Sequence, residues 1–216
     1  MNKKSGDQLN FSAETGNIEL LYAAIQDDPS ILENIDTIQF VETPLHISAS
    51  RGHLEFATEI MNLKPSFGMK LNQQGFSPIH LAMQNGQKAM VSKLVGINKD
   101  LVRVKGREGL TPLHFACQNG EVELSAEFLT ACPDSIEDVT VRGESALHIA
   151  VMNHQFGTLQ VLVGWLKENC KTVHSISITQ PQFKPIPISF NLNSLNIKLN
   201  PNPNYCSSNS TSAHSI

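Results

Sequence analysis

The segment Thr111-Pro112-Leu113-His114-Phe115-Ala116 decides the fold, because close copies of it recur at a fixed interval. The copies are Thr43-Pro44-Leu45-His46, Ser77-Pro78-Ile79-His80 and Ser145-Ala146-Leu147-His148. Each histidine follows the one before it by 34 residues. A constant period of roughly 20 to 50 residues indicates a stack of similar structural units.

Each phrase predicts the start of a helix. A Thr or Ser side chain at the N-cap accepts a hydrogen bond from a backbone N–H of the first turn, and the Pro that follows has no N–H to leave unpaired. Gly52, Gly86 and Gly120 lie six residues after a histidine, where they suit the left-handed end of a short helix. Apolar residues at helical spacing then predict a second helix in every unit. Projecting turns between units are predicted at Gly75, Gly109 and Gly143.

The sequence therefore predicts an all-α solenoid of about five helix-turn-helix units with projecting β-turns. The units lie near residues 7–40, 41–74, 75–108, 109–142 and 143–169, inside a repeat domain over residues 1–170. Val41 replaces the turn glycine of later units, so the first projecting turn should differ from the others. In the fifth unit, Ala146 replaces proline and His154 replaces the helix-ending glycine, so this unit should be less regular.

Residues 171–216 are predicted to form a disordered low-complexity tail. They contain no Asp or Glu and are rich in Ser, Asn and Pro, a composition that does not build a packed core. An alternative exon, a retained intron and an error in the gene model all remain open as its origin. The last unit presents Leu159, Leu162 and Trp165 without a sixth unit to cover them, so the tail or a partner covers them or the unit frays. Fraying is our prediction.

The period, together with Thr-Pro-Leu-His, resembles the signature of ankyrin repeats. Three segments more specifically resemble plant ankyrin-repeat proteins of the accelerated-cell-death and bian-da type. They are residues 61–67 (Met-Asn-Leu-Lys-Pro-Ser-Phe), 98–110 (Asn-Lys-Asp-Leu-Val-Arg-Val-Lys-Gly-Arg-Glu-Gly-Leu) and 132–136 (Cys-Pro-Asp-Ser-Ile).

This resemblance implies a non-catalytic protein-binding adaptor in plant immune or cell-death signalling, with its repeats in the cytoplasm. Members of the family carry membrane-spanning helices after their repeats, and membrane-anchored relatives are therefore possible partners. The sequence shows no stretch of about 18 apolar residues that would span a membrane. The alternative interpretation is a truncated form of a membrane-anchored signalling protein with little independent function.

The predicted partner site is the concave groove formed by the turn tips and the first helices of the units. On the turns, the candidates are Gln73, Gln74, Phe76, Arg107, Glu108, Leu110 and Arg142. On the first helices, they are Arg51, Gln84, Asn85, Gln118 and Asn119.

The repeated histidines are expected to bond backbone or hydroxyl groups between adjacent units, and no metal or other cofactor is predicted. Stacked helices lie about 8 to 10 Å apart, whereas zinc needs several ligand atoms within about 2.1 Å of one point. His53, His154, His174 and His214 are isolated in spacing and are expected to face solvent or to be disordered. Cys117 is interpreted as a core residue, and the absence of hydrolase, nucleotide-binding and metalloprotease motifs predicts no enzyme.

The charge pattern argues against a nucleic-acid partner. Sixteen Lys and Arg against 20 Asp and Glu give a formal charge of -4, which leaves no large cationic face. The basic residues Lys64, Lys70, Arg103, Lys105 and Arg107 are either a solvated edge or a contact for an acidic partner or lipid head groups. No signal peptide and no Cys-x-x-Cys pair are seen, so the sequence predicts a reduced, cytoplasmic protein; it leaves the oligomeric state open.

Overall fold

The computed structural model describes residues 3–169. The predicted tail at residues 171–216, with His174 and His214, lies outside these residues. Residues 3–169 form the α-helices α1 (Lys3–Thr15), α2 (Ile18–Asp27), α3 (Ile31–Asp36), α4 (Pro44–Arg51), α5 (Leu54–Leu63), α6 (Pro78–Gln84), α7 (Lys88–Ile97), α8 (Pro112–Asn119), α9 (Val122–Ala131), α10 (Ala146–Met152) and α11 (Phe156–Glu168). Short 3-10 helices cover Pro65–Met69, Lys99–Arg103, Arg107–Gly109 and Pro133–Glu137. The all-α prediction is confirmed.

The chain up to Val161 forms one compact unit, and the described residues from Leu162 onward belong to a second. Within the first, the helices stack in two rows. The first helices pack as α1 on α4, α4 on α6, α6 on α8 and α8 on α10, and the second helices pack as α5 on α7 and α7 on α9. Each helix pair thus contacts mainly its neighbours along the chain, as a solenoid requires.

The apolar residues of the repeated phrase build the core. Leu45, Ile79 and Leu113 are fully buried, as are the large side chains Phe56 and Phe128 of the second helices. Burial of a side chain of this size stabilises the fold by about 1.5 to 3 kcal/mol. One position of the period therefore contributes a similar stabilisation in each of these units.

The helix starts follow the prediction in two units and depart from it in a third. The hydroxyls of Thr43 and Thr111 accept long hydrogen bonds from the N–H groups of His46 and His114, at 3.4 and 3.5 Å. Ser77 makes no such bond with the helix backbone. Its hydroxyl lies 2.7 Å from His80 Nδ1 instead, so the prediction of a side-chain cap there was wrong.

The ends of the first helices confirm the glycine pattern. Gly52, Gly86 and Gly120 have φ of +80°, +69° and +75°. His154 occupies the same position in the fifth unit with φ of +56°. This conformation costs a residue with a Cβ about 1 to 2 kcal/mol. The irregularity predicted for the fifth unit is therefore found at His154.

Three projecting turns are closed in the same way. In each, an N–H at the start donates to the carbonyl at the end, at 2.8 Å for Asn72 to Phe76, 2.8 Å for Gly106 to Leu110 and 2.9 Å for Thr140 to Glu144. The first turn lacks this arrangement, as Val41 suggested: the Val41 N–H donates to the Leu71 carbonyl at 3.1 Å instead.

In the last described helix, Leu159 and Leu162 are buried, whereas Val161, Val163, Trp165 and Leu166 are partly exposed. Fraying of this unit stays a prediction, as does the domain boundary at residue 170.

Candidate binding groove

The repeated histidines hold the projecting turns against the first helices. His46 Nε2 lies 3.0 Å from the Phe76 carbonyl, His80 Nε2 lies 3.1 Å from the Leu110 carbonyl, and His114 Nε2 lies 3.1 Å from the Glu144 carbonyl. Each contact joins one unit to the turn of the next. The predicted bond between adjacent units is therefore found in three successive pairs.

The hydrogen bonds of these histidines require the neutral ring. A carbonyl only accepts, so Nε2 carries the proton, and Nδ1 of His46 accepts from the Thr43 N–H at 3.1 Å. Burial lowers the pKa of His46, His80 and His114 to about 4. Desolvation disfavours the charged imidazolium, so at neutral pH these side chains are uncharged cross-links between units.

The other histidines divide differently. His53 was predicted to face solvent, and this was wrong: it is half-buried, and its Nε2 lies 2.8 Å from the Glu14 carbonyl. A Cβ at Gly16 would lie 2.8 Å from the His53 ring, so glycine there makes room for it. His154 is exposed, as predicted. Within residues 3–169, no three His, Cys, Asp or Glu side chains are arranged to hold a metal ion.

Side chains at the start of two turns make the tips rigid. Asn72 Oδ1 accepts from the N–H groups of Gln74 and Phe76, both at 3.0 Å. Thr140 Oγ1 does the same for Arg142 and Glu144, at 3.3 and 3.2 Å. The backbone of these tips is thus held by its own residues, which leaves the side chains at the apex available to a partner.

The candidates on the turns lie at these tips. Gln73, Gln74, Arg107, Glu108 and Arg142 are exposed, and Phe76 and Leu110 are half-buried. Arg142 Nη2 lies 3.7 Å from Glu108 Oε2, and both side chains are more than half exposed. An ion pair this open to water contributes at most about 1 kcal/mol, so it leaves both groups free to rearrange around a partner.

The candidates on the helices lie at the ends of the first helices. Arg51, Gln84, Asn85, Gln118 and Asn119 are all exposed. The Asn85 amide donates to the Leu81 carbonyl at 2.8 Å, so part of its hydrogen-bonding capacity is used within the helix. The backbone carbonyl of Gln118 accepts a long hydrogen bond from the side-chain amide of Gln155 at 3.4 Å.

One cleft lies between a turn tip and two of the first helices, and two of the turn candidates line it. It has a volume of about 290 Å³, and its lining residues are Glu42, Ser50, Asn72, Gln73, Gln74 and Leu81. Gln73 and Gln74 were among the predicted candidates, whereas the other four were missed.

The period contains the signal that would have found two of the missed residues. Glu42 precedes Phe76 by one period, and Ser50 precedes Gln84 by one period. Both of those later residues were candidates, so carrying the pattern back by one unit leads directly to the cleft.

The basic residues do not form the free run that their sequence spacing suggested. Lys64 contacts Glu33 at 2.5 Å and Asp36 at 3.0 Å, and Lys70 contacts Asp36 at 3.3 Å. Arg103 donates two hydrogen bonds of 2.9 Å to the Asp138 carboxylate.

Three of the five cations therefore form ion pairs with carboxylates of the neighbouring unit. Lys105 and Arg107 are exposed. Lys64, Lys70 and Arg103 thus serve as ion pairs between neighbouring units, and whether the exposed Lys105 and Arg107 contact an acidic partner stays a prediction.

Cys117 is fully buried in α8, and burial raises the pKa of its thiol to about 12. A nucleophilic cysteine needs the thiolate at neutral pH. This environment fits the core role that the sequence suggested.

Comparison with known proteins gives a consistent picture. A family model described as ankyrin repeats (3 copies) matches residues 9–104 and 95–173. Over 70 residues the chain is 46% identical to Ankyrin repeat-containing protein BDA1 of Arabidopsis thaliana. The matched stretch covers 32% of this chain and 16% of that protein, so the two share only a small part of the relative's length. None of the helices in residues 3–169 has both the length and the apolar character to cross a bilayer.

Proposed function

We propose that this chain, which belongs to the ankyrin-repeat family, binds another protein in the groove formed by its turn tips and first helices. Ankyrin repeats indicate a protein–protein interaction module, and proteins built from them are generally non-catalytic. The observation that carries the proposal is the cleft where Gln73 and Gln74 of a turn meet Ser50 and Leu81 of two first helices. The proposal gives the chain no catalytic role and no cofactor.

The chemistry of the groove suits a polypeptide. Gln73, Gln74, Gln84 and Gln118 are exposed amides, and each side chain offers both donors and acceptors. A peptide backbone presents the same two kinds of group along its length. Amide side chains on a rigid stack therefore bind a partner's main chain, while apolar and charged neighbours select its side chains.

The biological setting that we propose is plant immune or cell-death signalling, with the repeats in the cytoplasm. The support is the resemblance of residues 61–67, 98–110 and 132–136 to plant ankyrin-repeat proteins and the identity with the Arabidopsis relative. A membrane-anchored relative is one candidate partner within this setting.

The proposal is tested by reversing charge at the turn tips. The double variant Arg107→Glu/Arg142→Glu and the wild-type chain are used as baits in extract from plant cells. The control is Lys93→Glu/Lys99→Glu, which changes the net charge equally at exposed positions on α7 and the 3-10 helix after it. We expect partners that survive in the control and fall by about tenfold in the arginine variant, a loss typical of interface charges.

The stability readout separates binding from folding. The Arg142–Glu108 pair is exposed, so its loss should lower Tm by no more than a few degrees. Equal recovery of the same partners by both double variants would contradict the groove as the binding surface.

A further inference from the structure

We propose that the cleft between the second and third units accepts a lysine or arginine side chain from the protein partner. This inference rests on the proposed groove function and adds the chemistry of the residue that the groove selects. It concerns the six residues that line the cleft: Glu42, Ser50, Asn72, Gln73, Gln74 and Leu81.

The charge in the cleft comes from Glu42. Its side chain is exposed, and no cation of residues 3–169 forms an ion pair with it. Arg51 follows the cleft residue Ser50 directly in sequence, yet it is not one of the residues that line the cleft. A carboxylate in this setting accepts charge-assisted hydrogen bonds, which are stronger than neutral ones, so a cation is the complementary occupant.

The shape and the remaining lining suit a long side chain. Leu81 is only 8% exposed and supplies an apolar surface, against which the methylene stem of Lys or Arg packs while its head reaches a polar group. The volume of about 290 Å³ lies at the lower edge of the range of about 300 to 1,000 Å³ for small-molecule sites. One side chain therefore fits this cleft better than a drug-sized ligand does.

The residues that line the cleft are held in place before a side chain binds. Asn72 is almost fully buried and holds the turn through two hydrogen bonds to its backbone, so Gln73 and Gln74 stand on a fixed base. The oxygens of their amides and of the Ser50 hydroxyl are acceptors for the several N–H groups of a Lys or Arg head. Binding then needs little reordering of the chain, which favours affinity.

The equivalent positions of later units lack this feature. One period after Glu42 lies Phe76, and the next is Leu110; both are apolar. Glu144 follows, but it is buried and its carboxylate accepts from the Thr140 hydroxyl at 3.2 Å. Among these four positions, only the one in the second unit offers an exposed carboxylate; the later tips carry Arg107 and Arg142, and the exposed Glu108 beside them is paired with Arg142. A partner with a cationic residue is thus directed to the second unit.

The test uses a library of random dodecapeptides displayed on phage and selected on the immobilised full chain. Selections are run on the wild-type protein, on Glu42→Gln and on Glu55→Gln, which makes the same change at an exposed position of α5. We expect binders of the wild type and of Glu55→Gln to share a Lys or Arg at one position, and binders of Glu42→Gln to lack it.

A double-mutant cycle then assigns the contact. The strongest wild-type peptide is synthesised with its shared cation and with norleucine in its place, and binding is followed by fluorescence anisotropy. Glu42→Gln should weaken the cationic peptide by about tenfold. Norleucine should weaken binding to the wild type much more than binding to Glu42→Gln, because the contact with the carboxylate is already lost in that variant.

Three results would overturn the cleft proposal, and they differ in whether the proposed groove function is also contradicted. Peptides that are weakened by Arg107→Glu/Arg142→Glu but not by Glu42→Gln occupy the groove without using the cleft. Failure of the wild-type chain to retain any peptide argues against the groove function itself, and the cleft proposal falls with it. A wild-type dimer in light scattering that Glu42→Gln dissolves makes the occupant a second copy of this chain instead of a separate partner.

Discussion

The fourth and fifth units begin with similar phrases but differ at the helix start, in the burial of the histidine and at the end of the first helix. The fourth has Thr111-Pro112 at its helix start, a fully buried His114 that reaches the Glu144 carbonyl, and Gly120 in the left-handed position. The fifth has Ser145-Ala146, a half-buried His148, and His154 with φ of +56°. The difference teaches that the same phrase gives a less buried histidine and a strained helix end where proline and glycine are replaced.

Acidification should lower the stability of the central units, because their buried histidines must then be protonated. The fifth unit depends less on this effect, since its histidine is only half-buried. Burial lowers the pKa of His46, His80 and His114 to about 4 in the folded chain, whereas a histidine in the unfolded chain has a pKa of about 6.5. Between these two values the unfolded chain therefore binds more protons than the folded chain. Stability is therefore complete above about pH 6.5 and is lost as the pH falls towards 4. We expect a free energy of unfolding about 3 kcal/mol lower at pH 5.5 than at pH 7, measured by urea denaturation.

The matched control for this effect is His114→Gln, which removes one of the three histidines whose pKa is lowered to about 4. Its loss between pH 7 and pH 5.5 should be smaller than that of the wild type by about 1 kcal/mol. A wild-type protein equally stable at both pH values would show that these histidines are not held neutral in the folded chain.

Alanine at the two histidines tests the comparison directly. His114→Ala removes a cross-link to the Glu144 carbonyl, which still accepts from the Thr140 N–H at 2.9 Å, and it empties a fully buried position, so we expect a loss of about 2 to 3 kcal/mol. His148→Ala should cost about 1 kcal/mol, since its ring is half-buried. Chemical denaturation of both variants at pH 7 gives the two values, and equal losses would remove the distinction between the units.

The left-handed position offers a reciprocal exchange. Gly120→Ala places a Cβ in the disfavoured conformation and should lower the free energy of unfolding by about 1 to 2 kcal/mol. His154→Gly relieves the same conformation in the fifth unit and should raise stability by about 1 kcal/mol. Thermal melts followed by circular dichroism report both signs, and destabilisation by His154→Gly would mean that its side chain is needed for packing.

The smallest expected effects concern ion pairs between units. Arg103 makes a two-pronged contact with the nearly buried Asp138, whereas Lys88 and Glu121 pair in a more exposed setting. Arg103→Lys loses the fork geometry and should cost about 1 kcal/mol. Lys88→Ala should cost less than about 0.5 kcal/mol. Urea denaturation at low and high salt would show whether burial distinguishes the pairs, and identical costs would show that it does not.

Much of the fold was accessible from sequence because its signals are local. A Thr or Ser before Pro starts a helix, and Gly52 or Gly120 ends one, whatever the rest of the chain does. The period then carried these assignments from unit to unit. His154 was identified as irregular for the same reason, since its position in the period calls for glycine.

The errors concern contacts between units, which local signals do not specify. Lys64 and Arg103 appeared to belong to a basic run until the structure showed which carboxylate of a neighbouring unit each one meets. His53 was assigned to solvent because its partner is the backbone carbonyl of Glu14 in the first helix. Every residue has such a carbonyl, so the sequence gives no sign of this contact. Gly106 went unnoticed, although a Cβ there would lie 3.0 Å from the His80 ring.

The candidate site was predicted in its general position but not in its chemistry. Gln73 and Gln74 follow from their place at a turn tip, and both line the cleft. The role of Glu42 depends on the absence of an ion pair in the folded chain, and the buried floor at Leu81 depends on the packing of α4 and α6. Neither property is present in the period itself.

Hydrogen–deuterium exchange of the wild-type chain at pH 7, resolved by peptide mass spectrometry, tests the central claim most directly. The claim is that buried histidine links and left-handed glycines make the central units more stable than the fifth. We predict that amides of α8 and α9 exchange at least about tenfold more slowly than those of residues 146–161. Equal protection of these two regions would contradict the account, because the half-buried His148 and the left-handed His154 would then have no consequence for the opening of the fifth unit.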